Sequence, residues 1–287
     1  MNENDLLNLI GIIFICTLPL WATILLKVYS KFKDIDYSRH FRTFIELRPY
    51  WVLVGLLLFF STIESSFIEP LVNPIAYDAS PAFYNIEGDS TSVFQDFTTP
   101  ATNFIFSAIY TVGFTGMLIL PLFYLSIKGE KKFVKALAYG FLIIYLIGLP
   151  FYLFFKVYEP WSLNPTYNLG YGNYTHIRGI LYADTLHSEV NIIHEINGLN
   201  NCFPSLHTAN VIFLSLLFFK YAKRTPKYII YAFSVLVIFS IFYLGIHWYI
   251  DFVAGLITAY AGYRIAFWAE NKFDIDVHFR PVIRRSR

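Results

Sequence analysis

His247 and Asp251 stand four positions apart. On a helix that spacing puts both side chains on one face, so the carboxylate can hold one imidazole nitrogen and leave the other as a nucleophile. Earlier in the chain, the run Cys202-Phe203-Pro204-Ser205-Leu206-His207 supplies a second imidazole. Pro204 suits the first turn of a helix, where its missing N–H has no intrahelical partner, and the free N–H groups behind it can face an anion. Ser205 can cap that helix or hold an oxyanion. Two imidazoles near neutrality can divide the nucleophile and acid roles without a metal. Lys156 is a third ionisable residue at the end of an apolar run.

Apolar runs must hold these residues in place. The 287 residues are 56% hydrophobic and 15% charged, with a mean hydropathy of +0.50. An ordinary soluble chain is about a quarter charged. The apolar residues come in stretches near the bilayer-spanning length of about 20, over Leu6–Leu26, Trp51–Ile63, Phe104–Ile127, Val134–Phe155, Pro204–Phe219, Tyr228–Ile246 and Trp248–Trp268. The fold class expected is all-α, a polytopic membrane helix bundle of about seven spans. A net charge of +2 gives no basic footprint for nucleic acid, and two cysteines are too few for a disulfide scaffold. Met1–Asp5 is acidic, not basic, so the first apolar run reads as a retained span rather than a cleaved signal.

Basic residues concentrate on the cytoplasmic side of a membrane. Here 20 of the 22 follow spans one, three, five and seven, while the segment Glu64–Asn103 holds six acids and no base. This predicts an N-terminus outside and a C-terminus in the cytoplasm. Lys156, Ser205, His207, His247 and Asp251 then all reach the outer face, and Arg178 lies in an outer loop.

The stretches Asn201–His207 and His247–Asp251 resemble the type 2 phosphatidic acid phosphatase (PAP2) superfamily of membrane lipid phosphatases and phosphotransferases. Its second motif, Pro-Ser-Gly-His, reads Pro-Ser-Leu-His here, like the branch that includes inositol phosphorylceramide synthases. The resemblance covers roughly Ile144–Ala266. It divides the chain into an N-terminal membrane region (1–133), a PAP2-like catalytic domain in the C-terminal half (134–270) and a basic tail (271–287). It implies that His247 is the nucleophile on phosphorus, that Asp251 orients it, that His207 is the acid and then the base, and that Ser205 holds phosphate oxygens. Two positions depart from the pattern. Ile241 stands where the third motif has its phosphate-binding arginine, and Lys156 is followed by Val157-Tyr158-Glu159-Pro160-Trp161 rather than by an Arg-Pro pair. Lys156 and Arg178 are the outer cations left to replace that arginine.

No metal and no cofactor are expected, because His187, His194 and Glu195 match no tight ligand spacing. The resulting expectation is a multi-pass cell-membrane phosphatase acting at the outer face on a lipid phosphate or a polyprenyl or dolichyl diphosphate. Its partners are that lipid and the bilayer. A headgroup phosphotransferase and a non-catalytic lipid-binding or transport protein are the alternatives.

Overall fold

The computed structural model describes residues 44–163, 201–221 and 224–273. The first expected span, Leu6–Leu26, lies outside them, as do Arg178, His176, His187 and His194. The described chain is mostly helical: α1 (Arg48–Ile63), α2 (Glu69–Val72), α3 (Ser80–Glu87), α4 (Pro100–Ala108), α5 (Phe114–Ile127), α6 (Lys131–Phe154), α7 (Leu206–Tyr221), α8 (Arg224–Tyr243) and α9 (Tyr249–Lys272). Four helical stretches are long and apolar enough to cross a membrane: Ala101–Ile127, Lys131–Phe154, Pro226–Tyr243 and Tyr249–Lys272. Arg48–Ile63 and Leu206–Lys220 are shorter apolar helices. The six apolar runs expected after the first therefore all fold as helices.

Local sequence sets several boundaries. Thr99 caps α4, accepting from the Thr102 N–H at 3.1 Å while Thr102 Oγ1 accepts from the Thr99 N–H at 2.9 Å. Pro100 follows as the first helical residue. Two π-helical turns interrupt the helices. Glu64–Ile68 joins α1 to α2, and Ile109–Gly113 joins α4 to α5.

The membrane layer packs around α6, α7 and α9, whose buried residues include Leu137, Ile144, Phe213, Leu214 and Ala259. Helix association in lipid relies on close backbone approach through small residues, and three glycines provide it. A Cβ on Gly140 would sit 1.9 Å from the Phe213 ring, one on Gly262 would sit 2.6 Å from Ile144, and one on Gly255 would sit 2.8 Å from both Ser205 O and Thr208 Cβ. The last approach draws α9 against the start of α7, where the Ser205 N–H donates to Asp251 O at 3.2 Å. The two sequence motifs meet because no side chain stands between their backbones.

A second cluster of buried residues caps one end of this bundle, with Val157, Tyr158, Trp161, Cys202, Ile241, Tyr243 and Trp248 among its members. The chain leaving α6 is held on both sides there. Phe155 and Lys156 pair in parallel with Tyr77 and Asp78, and Val157 bridges Asn201. Trp248 Nε1 donates to Tyr158 O at 2.9 Å, tying the turn between α8 and α9 to the same frame.

Candidate active site

His247 lies in that turn, two residues before α9, and is 3% exposed. Its Nδ1 is 3.4 Å from Asp251 Oδ2, and its Nε2 is 3.2 Å from His207 Nδ1. Asp251 sits in the first turn of α9 and is fully buried. Its Oδ2 accepts the Trp248 N–H at 2.8 Å, which fixes the backbone next to the histidine. With the Nδ1 proton directed to Asp251, the Nε2 lone pair of His247 faces His207, and the His207 Nδ1–H donates to it. Burial lowers the His247 imidazole to about 3. It is held neutral, the form that can attack phosphorus.

His207 stands in the first turn of α7. Its ring contacts Tyr110 and Phe114, with centroids 4.8 and 4.5 Å away. Those two residues come from the π turn and the start of α5, so the irregular turn supplies one wall of the site. Tyr152 OH donates to Pro204 O at 2.8 Å, seating the entry to α7 against α6.

Cys202 was counted in the sequence without a role, and the structure places it at the centre. Its Sγ lies 2.7 Å from Asp251 Oδ2, 3.3 Å from His247 Nδ1 and 3.0 Å from Ile246 O. Burial pushes its thiol well above the usual range, so it stays protonated and acts as a donor. Cys202, His247 and Asp251 bring their ligand atoms within 4.8 Å of one another. These are zinc-binding residue types, but zinc would need the thiolate that burial disfavours, and the Cys202 thiol is already directed to Asp251 Oδ2.

The other expected site residues behave differently. Ser205 is fully buried, and its Oγ accepts the Thr208 N–H at 3.1 Å. It caps α7 and does not line the cavity described below. Lys156 directs its amine to Asn73 O at 3.4 Å, also away from the cavity. Ile241, at the position expected for arginine, is fully buried in the apolar cap cluster. Arg178 is outside the described residues.

A cavity of about 480 Å³ opens beside the two histidines. Its apolar wall includes Val54, Leu57, Leu118, Ile119 and Phe141. Its polar groups include Glu64, Tyr145, Tyr152, Glu159 and Asn210, and no Lys or Arg lines it among the described residues. Trp161 Nε1 donates to Glu159 Oε2, and burial raises the Glu159 carboxyl well above the carboxylate range. Burial also raises Glu64, to about 7.

Glu87 is a further participant that the sequence did not single out. It ends α3, and its two oxygens accept the Tyr249 and Ile250 N–H groups at 2.8 and 2.6 Å. The N-terminus of α9 carries free donors and positive dipole charge, so a carboxyl group from the acidic segment Glu64–Asn103 closes it. The sequence signal was present as six acids without a base, but nothing in their spacing named which one would cap a helix 160 residues later.

Residues 88–265 match the PAP2 superfamily, a span that holds His207, His247 and Asp251. None of the curated proteins or solved structures compared with the chain matches it. The match covers more than half of the 287 residues, and the chain belongs to the PAP2 superfamily.

Proposed function

We propose that this protein is a multi-pass membrane enzyme that hydrolyses a lipid phosphate, or a polyprenyl or dolichyl diphosphate, through a phosphohistidine on His247 at the outer face of the cell membrane. The observation that carries the reading is the 3.2 Å approach of His207 Nδ1 to His247 Nε2 on the wall of a largely apolar cavity. Superfamily members are phosphatases or phosphotransferases, and the apolar wall suits a lipid chain.

The chemistry follows from the two rings. His247 Nε2 gives its lone pair to phosphorus while the bond from phosphorus to the leaving oxygen breaks, and His207, which takes up a proton when the anionic phosphate lies beside it, delivers that proton to the leaving oxygen. His207 then takes a proton from water, the water oxygen bonds to phosphorus, and the P–N bond returns its electrons to Nε2. Asp251 and Cys202 hold the imidazole's far side throughout. With no cation along the described cavity wall, Arg178 and the N–H groups of the first turn of α7 other than those of Ser205 and Thr208, which donate to Asp251 O and Ser205 Oγ, are the candidates to hold phosphate oxygens.

Protein purified in detergent and freed of divalent ions with a chelator tests this. It should release phosphate from a lipid phosphate or farnesyl diphosphate, and a radiolabelled donor should leave acid-labile label on the protein. His247→Ala should abolish both signals, and His207→Ala should slow turnover at least about a thousandfold. Turnover surviving both changes would sink the proposed site and leave the lipid-binding or transport reading.

A further inference from the structure

Glu159 lines the cavity together with both histidines and is only 8% exposed. It sits beyond the end of α6, just ahead of the short helical turn Pro160–Leu163. Two bonds register it against the nucleophile's turn. Trp248 Nε1 donates to Tyr158 O at 2.9 Å, and the Trp161 N–H donates to Gly245 O at 3.1 Å. Residues flanking Glu159 are thus tied to residues flanking His247. Ser162 Oγ and the Ser162 N–H donate to Glu159 O at 2.7 and 2.9 Å, and Trp161 Nε1 donates to Glu159 Oε2, so its backbone and its side chain are both anchored.

A carboxyl in this place has two readings. As an anion it would face a substrate phosphate with no Lys or Arg on the described cavity wall to offset the repulsion. As a neutral acid it carries an O–H that can donate to a phosphate oxygen. The surroundings favour the acid. Burial raises the Glu159 carboxyl well above the carboxylate range; the Trp161 N–H opposes that rise, and Asp251 adds to it. Tyr110 and Cys202, the other titratable groups that interact with it electrostatically, bring no positive charge. A phosphate arriving at His247 adds negative charge and holds the proton more firmly.

We propose that the Glu159 carboxylic acid donates a hydrogen bond to a phosphate oxygen of the substrate at His247, so that an uncharged donor does the work of a cation. The proposal rests on the phosphohistidine reading above. The proton stays on Glu159 throughout. The acid holds the phosphate and steadies the charge on its oxygens, while His207 moves the proton of the leaving group and of water. Tyr110, whose ring centroid lies 4.8 Å from that of His207, brings a second uncharged O–H to the same wall.

The test uses the full-length protein in nanodiscs, with farnesyl diphosphate as substrate and inorganic phosphate as a probe of binding. Glu159→Gln keeps an oxygen for the Trp161 N–H and an NH2 group for the phosphate, so kcat/KM should stay within about threefold of the parent. Glu159→Leu keeps neither and should lower it by about tenfold to a hundredfold. Infrared difference spectra of the parent, with phosphate minus without, should show a carboxylic acid C=O band moving to lower frequency, and Glu159→Gln should lack it. A glutamine variant as impaired as the leucine variant would mean that an ionised or proton-exchanging carboxylate is needed, which overturns the proposal. A leucine variant as active as the parent overturns it too, as does absence of the band in the parent or its survival in Glu159→Gln. The spectra need no turnover, so a parent that never cleaves farnesyl diphosphate counts against the phosphohistidine reading while the band still decides whether Glu159 meets phosphate. Should Glu159→Leu fail to fold, the glutamine variant and the parent spectra still decide the matter.

Discussion

Cys202 Sγ sits 2.7 Å from Asp251 Oδ2, on the carboxylate oxygen that also receives the Trp248 N–H. The thiol thus holds the acid that holds His247, and it packs from the strand-like segment that bridges Val157. Cys202→Ala should remove this donor and loosen the imidazole, lowering kcat about tenfold with KM little changed. Cys202→Ser should restore much of the loss by supplying a hydroxyl donor. Because the thiol is 1% exposed and kept protonated, maleimide should label it only after unfolding. Steady-state kinetics with mass spectrometry of the alkylated protein checks both outcomes.

Glu87 closes the first turn of α9 from another element, so its loss should disturb the nucleophile's turn without touching the cavity. Glu87→Ala should cost about 1–2 kcal/mol of stability, the usual size of a lost helix cap with charge. Glu87→Gln keeps one acceptor and should cost less. Thermal unfolding in detergent reads the difference, and a variant as stable as the parent would remove Glu87 from this role.

Gly255 carries the close contact between α9 and the start of α7. A methyl group there meets backbone at 2.8 Å, and backbone cannot rotate away. Gly255→Ala should therefore separate Ser205 from Asp251 and lower both stability, by about 1–3 kcal/mol, and turnover. Gly55, where an added Cβ meets nothing within 4 Å, is the control: Gly55→Ala should leave both unchanged.

Two buried groups bend stability with pH in opposite directions. His247 falls from 6.5 to about 3 on folding, so the unfolded chain binds more protons between those values and stability is lost as pH falls through that window. Glu64 rises from 4.5 to about 7, so the folded chain binds more protons and stability is lost as pH rises from 4.5 through 7. Between pH 4.5 and 6.5 the two slopes oppose each other. Relative to the parent, His247→Gln should tilt the pH dependence toward decline with rising pH, and Glu64→Gln should tilt it the other way, with Glu159 adding to the Glu64 direction in both. The slope from either group is at most about 1.4 kcal/mol per pH unit. Melting temperatures across that range should show the two slopes with opposite sign.

Much of the site could be read from residue types alone. His207, His247 and Asp251 converge because apolar runs fix helix ends and charges fix which ends share a face, and both are visible in composition. Ser205 could be read as a cap or as an oxyanion holder, and the structure gives it the Thr208 N–H. Lys156 was legible as an outer cation, but its direction depends on pairing with Tyr77–Asp78, a two-residue contact too short for any sequence pattern to signal. Ile241 was visible as a missing arginine, whereas its burial in the cap cluster is a property of packing across five separate stretches of chain. Cys202, Glu64 and Glu87 gain their roles only through partners between 44 and 163 positions away or through a shared cavity.

The two π turns carry one further consequence. Each holds a residue more than an α-helical turn would, which offsets the helix above it by about 100° from the helix below. Glu64 and Tyr110 face the cavity because of these offsets. Loss of one residue within Ile109–Gly113 would still leave a hydrophobic rod long enough for a bilayer, yet it would swing one half of that rod around its axis and carry Tyr110 away from His207. Length variation at these two points is thus a route by which related chains could exchange one cavity lining for another while every helix and both histidines stay where they are.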